Sequence, residues 1–166
     1  QGYWSDGLYT APSDQALIYD IETKKKKGFN MLRKHIKIEP LRWYYHCDRL
    51  GMIVWQDMIN GGGIYKASAI MVVPALNMAF GTKKFMKDDT EKNYEFFSRE
   101  DEAGRNEFYG DSARMIDALY NVVGLAVWVP FNEGWGQFDS VKAYEFYRKL
   151  DPTRSIDHAS GWHDQG

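Results

Sequence analysis

Cysteine is almost absent from the 166-residue chain: the one at position 47 excludes an intramolecular disulfide and any cysteine-based zinc site. Excess charge is missing too. Lys and Arg number 21 against 23 Asp and Glu, for a formal net charge of −2, which leaves no basic footprint for nucleic acid. No apolar run approaches the ~20 residues of a membrane span, and Gln1-Gly2-Tyr3-Trp4 has neither a basic nor an apolar leader character, so the chain as it stands reads as soluble. No GxGxxG or GK(S/T) pattern follows Gly61-Gly62-Gly63, which makes a phosphate loop a weak reading. Asp157, His158, His163 and Asp164 are of ligating type but lack HExxH-type spacing, so no metal is assigned. Length is also short. A complete (β/α)8 barrel takes ~250 residues, although 44% hydrophobic and 16% aromatic residues suffice for one sizeable core.

What is present is an alternation of helical and strand patterns. Ser13 reads as an N-cap for a helix with Leu17, Ile18 and Ile21 on one stripe, stopped at Gly28 after four solvated lysines. A strand follows over 29–33. Pro40 opens a helix whose Trp43, His46, Cys47 and Leu50 share a face, with Cys47 in the core, and Gly51 ends it. Strand 52–55 comes next. After a long interruption, Ile116, Leu119, Tyr120 and Val123 mark a helix leading into a strand over 125–131, which reads as buried on both faces. Ala143, Phe146, Tyr147 and Leu150 then form a stripe ended near Pro152, and 155–158 is a last strand. This alternation predicts an α/β fold with parallel strands. A doubly wound sheet fits it as well as a barrel does. Polar residues at successive strand ends favour a barrel mouth: Arg33 and His35, Gln56 and Asp57, Asn132 and Glu133, Asp157 and His158.

The stretch from Val127 to Gly136 concentrates the chemistry. An apolar strand ends in Asn132-Glu133, framed by Phe131 and Trp135. Gly134 and Gly136 read as room for a ligand to approach the backbone. Burial beside Phe131 and Trp135 would favour the protonated form of Glu133, as a general acid requires.

At these residues the sequence resembles a known family. WVPFNEGWGQFD (128–139), KLDPTRSIDHASGWHDQG (149–166), residues 28–58 and the opening GYWSDGLYTAPSD (2–14) are similar to the catalytic barrel of glycoside hydrolase family 2, the β-galactosidase and β-glucuronidase family. The resemblance covers nearly the whole chain apart from its middle. It implies part of a (β/α)8 TIM barrel, about strands two to five, within a retaining enzyme that cleaves a terminal β-linked sugar from an oligo- or polysaccharide. Glu133 matches the general acid/base at the end of strand four, and Asn132 the amide that holds the sugar 2-hydroxyl. Arg33 and His35 match groups that orient carboxylates and touch sugar, although Lys34 and Ile36 depart from the pattern. The family's nucleophile, a Glu at the end of strand seven, would lie beyond Gly166. The implied partners are therefore a carbohydrate substrate and the rest of the same polypeptide: the missing barrel strands and accessory β domains. No cofactor is implied, because Met58-Ile59-Asn60-Gly61 stands where the large β-galactosidases carry magnesium ligands. The isolated chain is expected to be inactive, and a polysaccharide-degrading role would place the enzyme in the periplasm or outside the cell.

Other candidates are weaker. Asp57 orients a neighbour or binds a sugar hydroxyl, or else simply ion-pairs with Arg33. Trp135 and Trp162 are candidate sugar platforms, His158 and His163 candidate hydroxyl-binding groups, and Trp4 with Asp6 a lesser pair. Residues 58–100 are too long for a βα loop and read as a lid or as a packed excursion. The rival functions are a non-catalytic carbohydrate-binding or scaffold protein and an endo-acting barrel glycosidase.

Overall fold

The computed structural model describes residues 4–5, 7–11 and 13–165; Asp6 lies outside the described residues. Local signals set the first helices. Ser13 Oγ accepts from the Ala16 N–H at 3.2 Å and opens α1 (Asp14–Lys26), which buries Leu17 and Ile21 and ends before Gly28 at φ 92°. Strand β1 (Met31–Lys34) leads to α2 (Leu41–Leu50), which starts after Pro40, buries Trp43, Tyr44, His46 and Cys47, and closes on Gly51 in the left-handed region. Burial pushes the Cys47 thiol up to about 12, as expected of an inert core thiol.

Strand β2 (Ile53–Asp57) is followed by the long excursion, whose π-helical turn Ser68–Val72 runs into α3 (Val73–Phe80). Helix α4 (Glu102–Leu119) begins far earlier than its sequence stripe suggested, because Asp101 accepts from the Ala103 and Gly104 N–H groups. Tyr120 and Val123 fall outside the helix and are exposed; the buried stripe is Phe108, Ser112, Met115, Ile116 and Leu119. Pro130 interrupts the next run, giving β3 (Leu125–Val129) and a short β4 (Phe131–Asn132). After α5 (Ser140–Leu150), the last strand is likewise split into β5 (Ser155–Ile156) and β6 (Ala159–Ser160).

The main sheet has the order β1-β2-β3-β5, all parallel, and β4 pairs with β6 just beyond β3 and β5. Strand order follows chain order without the reversal that marks a doubly wound sheet. Right-handed crossovers stepping in one direction put the helices on one face, where α1 packs beside α2 and α4 beside α5. Tyr147 donates to Ser112 at 2.8 Å between α5 and α4, and the Trp128 indole donates to Asp151 at 2.9 Å. Burial raises the Asp151 carboxyl, but hydrogen bonds from Thr153, Arg154 and Trp128 outweigh it and hold that carboxyl well below the usual range.

The opposite sheet face corrects the expectation of a strand buried on both sides. Met31 and Ile53 are exposed there, and Trp55 and Val127 half-buried.

Candidate active site at the carboxyl end of the sheet

Arg33 joins four strands. Its Nε and Nη2 donate to the two carboxylate oxygens of Asp57 at 2.8 and 3.0 Å, Nη2 also to Asn132 Oδ1 at 2.9 Å, and Nη1 to Ser160 Oγ at 3.0 Å. Period-two alternation is the reason it can: in parallel register Arg33 sits opposite Trp55, and Asp57 is two residues further along the same face. Asp57 is fully buried and accepts also from the Ile36 N–H at 3.3 Å, with His35 Nδ1 at 3.2 Å. Of its alternatives the ion pair with Arg33 is the one observed, and Asp57, fully buried, orients Arg33 and His35. With Nδ1 facing a carboxylate, the neutral His35 ring carries its proton there and presents Nε2 as acceptor.

Asn132 is buried and its carbonyl is committed to Arg33, which leaves its N–H pair uncommitted among the described residues. Glu133 comes next, half-buried, its N–H donating to the Ser160 carbonyl at 2.8 Å. Its φ of 53° is a left-handed conformation that costs a non-glycine residue about 1–2 kcal/mol. Among the described residues nothing hydrogen-bonds or ion-pairs with its carboxylate. Glu133 thus combines a left-handed backbone with a carboxylate that is unengaged among the described residues, beside the Arg33 network.

Gly134 and Gly136 leave no room for a ligand. Cβ atoms there would stand 2.9 Å from His163 Cδ2 and 1.8 Å from the Gly61 carbonyl oxygen; the space is filled by the excursion and the turn after β6. Arg99, which sequence reasoning missed, donates from Nε to the Gly136 carbonyl at 2.6 Å and lies over Phe108 and Phe138 at 5.4 and 5.0 Å. It has no carboxylate within 4.0 Å among the described residues, and burial brings its pKa down to about 10. Asp89 was also missed. It accepts from Gln137 Nε2 at 2.8 Å and from the Ser140 N–H at 3.0 Å, capping α5 from outside, because Asp139 at φ 42° makes no side-chain cap. Ser160, the third omission, carried only a hydroxyl at a strand end as its signal.

Other candidates lie elsewhere. His163 is corrected to an interior residue: it is 1% exposed, faces Phe96 and Phe97, and donates from Nε2 to the Ala69 carbonyl at 2.9 Å. Burial lowers its pKa. His158 leans edge-on against Tyr144 of α5, away from the Arg33 network. Gln56 is buried and accepts from the Tyr44 hydroxyl of α2 at 2.5 Å, so it faces the helices rather than the sheet's other face. Trp135 is half-buried and edge-on to Tyr65 of the excursion. Trp162 is half-buried in a pocket wall, and Trp4 packs against the core.

The arrangement is thus an α/β parallel sheet with a carboxylate at its carboxyl end. Solved structures share the fold. The β-glucuronidase of Dictyoglomus thermophilum superposes with a TM-score of 0.63 at 18% identity, over 90% of this chain and 23% of that one. A β-glucuronidase of Bacteroides uniformis gives 0.61 at 14% identity over 94% and 17%. A GH2 β-galacturonidase from Eisenbergiella tayi, bound to galacturonate, gives 0.54 at 20% identity over 90% and 22%. The chain spans less than a quarter of the length of each of these, and at such identities the likeness is one of fold. No protein-family model and no curated protein sequence matches it.

Proposed function

We propose that the chain forms about strands two to five of a (β/α)8 barrel glycoside hydrolase of the β-galactosidase and β-glucuronidase type, cleaving a terminal β-linked sugar with retention. Glu133 protonates the leaving oxygen, then serves as base when water attacks the glycosyl-enzyme. The Asn132 amide donates to the sugar 2-hydroxyl. Arg33 fixes that amide, His35 contacts sugar, and Asp57 positions both. The second carboxylate, about 5 to 5.5 Å from Glu133 in a retaining site, comes from the rest of the polypeptide, since Asp57 is spent on Arg33. The exposed Met31 and Ile53 face is then the barrel interior, covered by the remaining strands.

The observation that carries this reading is the Glu133 carboxylate: unengaged, in strained backbone, one residue from an asparagine locked by Arg33. In the complete enzyme Glu133→Ala should lose several orders of magnitude on glycosides with poor leaving groups and far less on activated aryl glycosides, which need little protonation. Equal loss on both would remove Glu133 from the acid role. Full activity of the variant would leave the site non-catalytic.

A further inference from the structure

The excursion opens on Asn60-Gly61, and Asn60 is the only asparagine of the chain followed by glycine. Both residues line a cleft of about 450 Å³ between the Gly61-Gly62-Gly63 turn and the first half of α4, with Arg99 in its wall. Among the described residues neither the Asn60 side chain nor the Gly61 N–H takes part in a hydrogen bond. Three other asparagines contrast with this. Asn77 Oδ1 accepts from the Phe85 N–H at 3.1 Å, Asn93 Nδ2 donates to the Asp88 carbonyl at 2.9 Å, and Asn132 Oδ1 accepts from Arg33 at 2.9 Å. Each of these is followed by a side chain, Met78, Tyr94 or Glu133, that crowds the next nitrogen. The buried Arg99 lies against Gly61: its Nη2 and Nη1 are 3.0 and 3.1 Å from where a Gly61 Cβ would stand. The Gly61 nitrogen is two bonds of about 1.5 Å from that point, which puts it within about 6 Å of the cation.

We infer that Asn60 is a site of spontaneous modification, deamidating through attack of the Gly61 nitrogen on the Asn60 side chain. No hydrogen bond has to break on either reacting group, and glycine leaves the attack unhindered. The nitrogen must first lose its proton, and a cation at this range favours the anion about tenfold in population. The new bond runs from Gly61 N to Asn60 Cγ. The bond from Cγ to the side-chain nitrogen breaks, and ammonia leaves with the proton that Gly61 gave up. Water then opens the succinimide at either carbonyl, giving aspartate or isoaspartate, so the net change is amide and water to carboxylic acid and ammonia. Either product puts a carboxylate in the cleft that holds the Arg99 guanidinium. Isoaspartate also lengthens the main chain just before Gly61, whose carbonyl oxygen lies 1.8 Å from where a Gly136 Cβ would stand. A contact that close does not survive such a shift, so the excursion loosens from the turn at Glu133.

Ageing the full chain in mildly alkaline buffer tests this, read by peptide mass mapping and by methyltransferase labelling of isoaspartate. Conversion at Asn60 should run ahead of that at every other asparagine. Arg99→Gln should slow it about tenfold in the folded protein and leave it unchanged in urea, where the guanidinium and Gly61 are no longer held together. Asn60→Gln should abolish the labelling, and its excursion should keep its resistance to proteolysis on ageing, while the unsubstituted chain is cut faster within residues 58–100. Conversion at Asn60 no faster than at the other asparagines of the folded chain would overturn the site. Should Arg99→Gln fail to fold, the unsubstituted chain decides the part played by Arg99: conversion slower in the folded state than in urea contradicts it. Conversion that leaves proteolysis unchanged would overturn the loosening of the excursion.

Discussion

The strand ends and the excursion both hold the turn at Glu133, by different physics. At the strand ends one guanidinium collects Asp57, Asn132 and Ser160, a directional, charge-assisted network on rigid elements. The excursion works by exclusion. Gly61, Phe97 and Arg99 fill the space that Gly134 and Gly136 leave, and Asp89 caps the following helix. The network sets where Asn132 points, and the packing keeps Glu133 in a backbone conformation it would not choose.

Breaking the network should cost most. Asp57→Ala leaves Arg33 without its carboxylate, and losing one partner of such a pair costs about 3 kcal/mol, read as a lower urea midpoint of unfolding. A midpoint unchanged by the substitution would mean that Asp57 serves substrate only. Breaking the packing comes next. Gly136→Ala meets the Gly61 carbonyl and takes a left-handed φ of 68°, which alone costs about 1–2 kcal/mol; the excursion should detach, seen as faster proteolysis within residues 58–100. Asp89→Ala removes a cap from α5 and should cost about 1 kcal/mol, measurable by thermal melting.

A pH-dependent effect belongs to Asp151, away from both regions. Its folded carboxyl titrates below the unfolded value of about 3.9. It therefore contributes stability that is present above that value and lost as pH falls below it toward the folded pKa. Urea unfolding at stepped acid pH should show this slope, and Asp151→Asn should flatten it.

The two regions also differ in how far the sequence discloses them. Helices α1 and α2 were legible because Ser13, Gly28, Pro40 and Gly51 act within a turn of their own positions. Glu133 was legible because an apolar run stops there. The partners of Asp89 and Arg99 are 37 to 51 residues distant, so in sequence Asp89 looks like part of a solvated charge run and Arg99 is not singled out. The same distance hid what fills Gly134 and Gly136, and why His163 is interior. Helix α4 was read too short because its buried stripe starts at Phe108, ahead of the residues used to detect it. The split of the run 125–132 into β3 and β4 was signalled by Pro130, but an apolar Phe131 masked it.

The measurement that bears most directly on Glu133 is azide rescue of Glu133→Ala in the complete enzyme, on an activated aryl β-glycoside. Without its base the variant should stall as a covalent glycosyl-enzyme, and azide, which attacks without base assistance, should restore turnover and release the β-glycosyl azide. An α-glycosyl azide, or no rescue at any azide concentration, would contradict the assignment of Glu133 as acid and base.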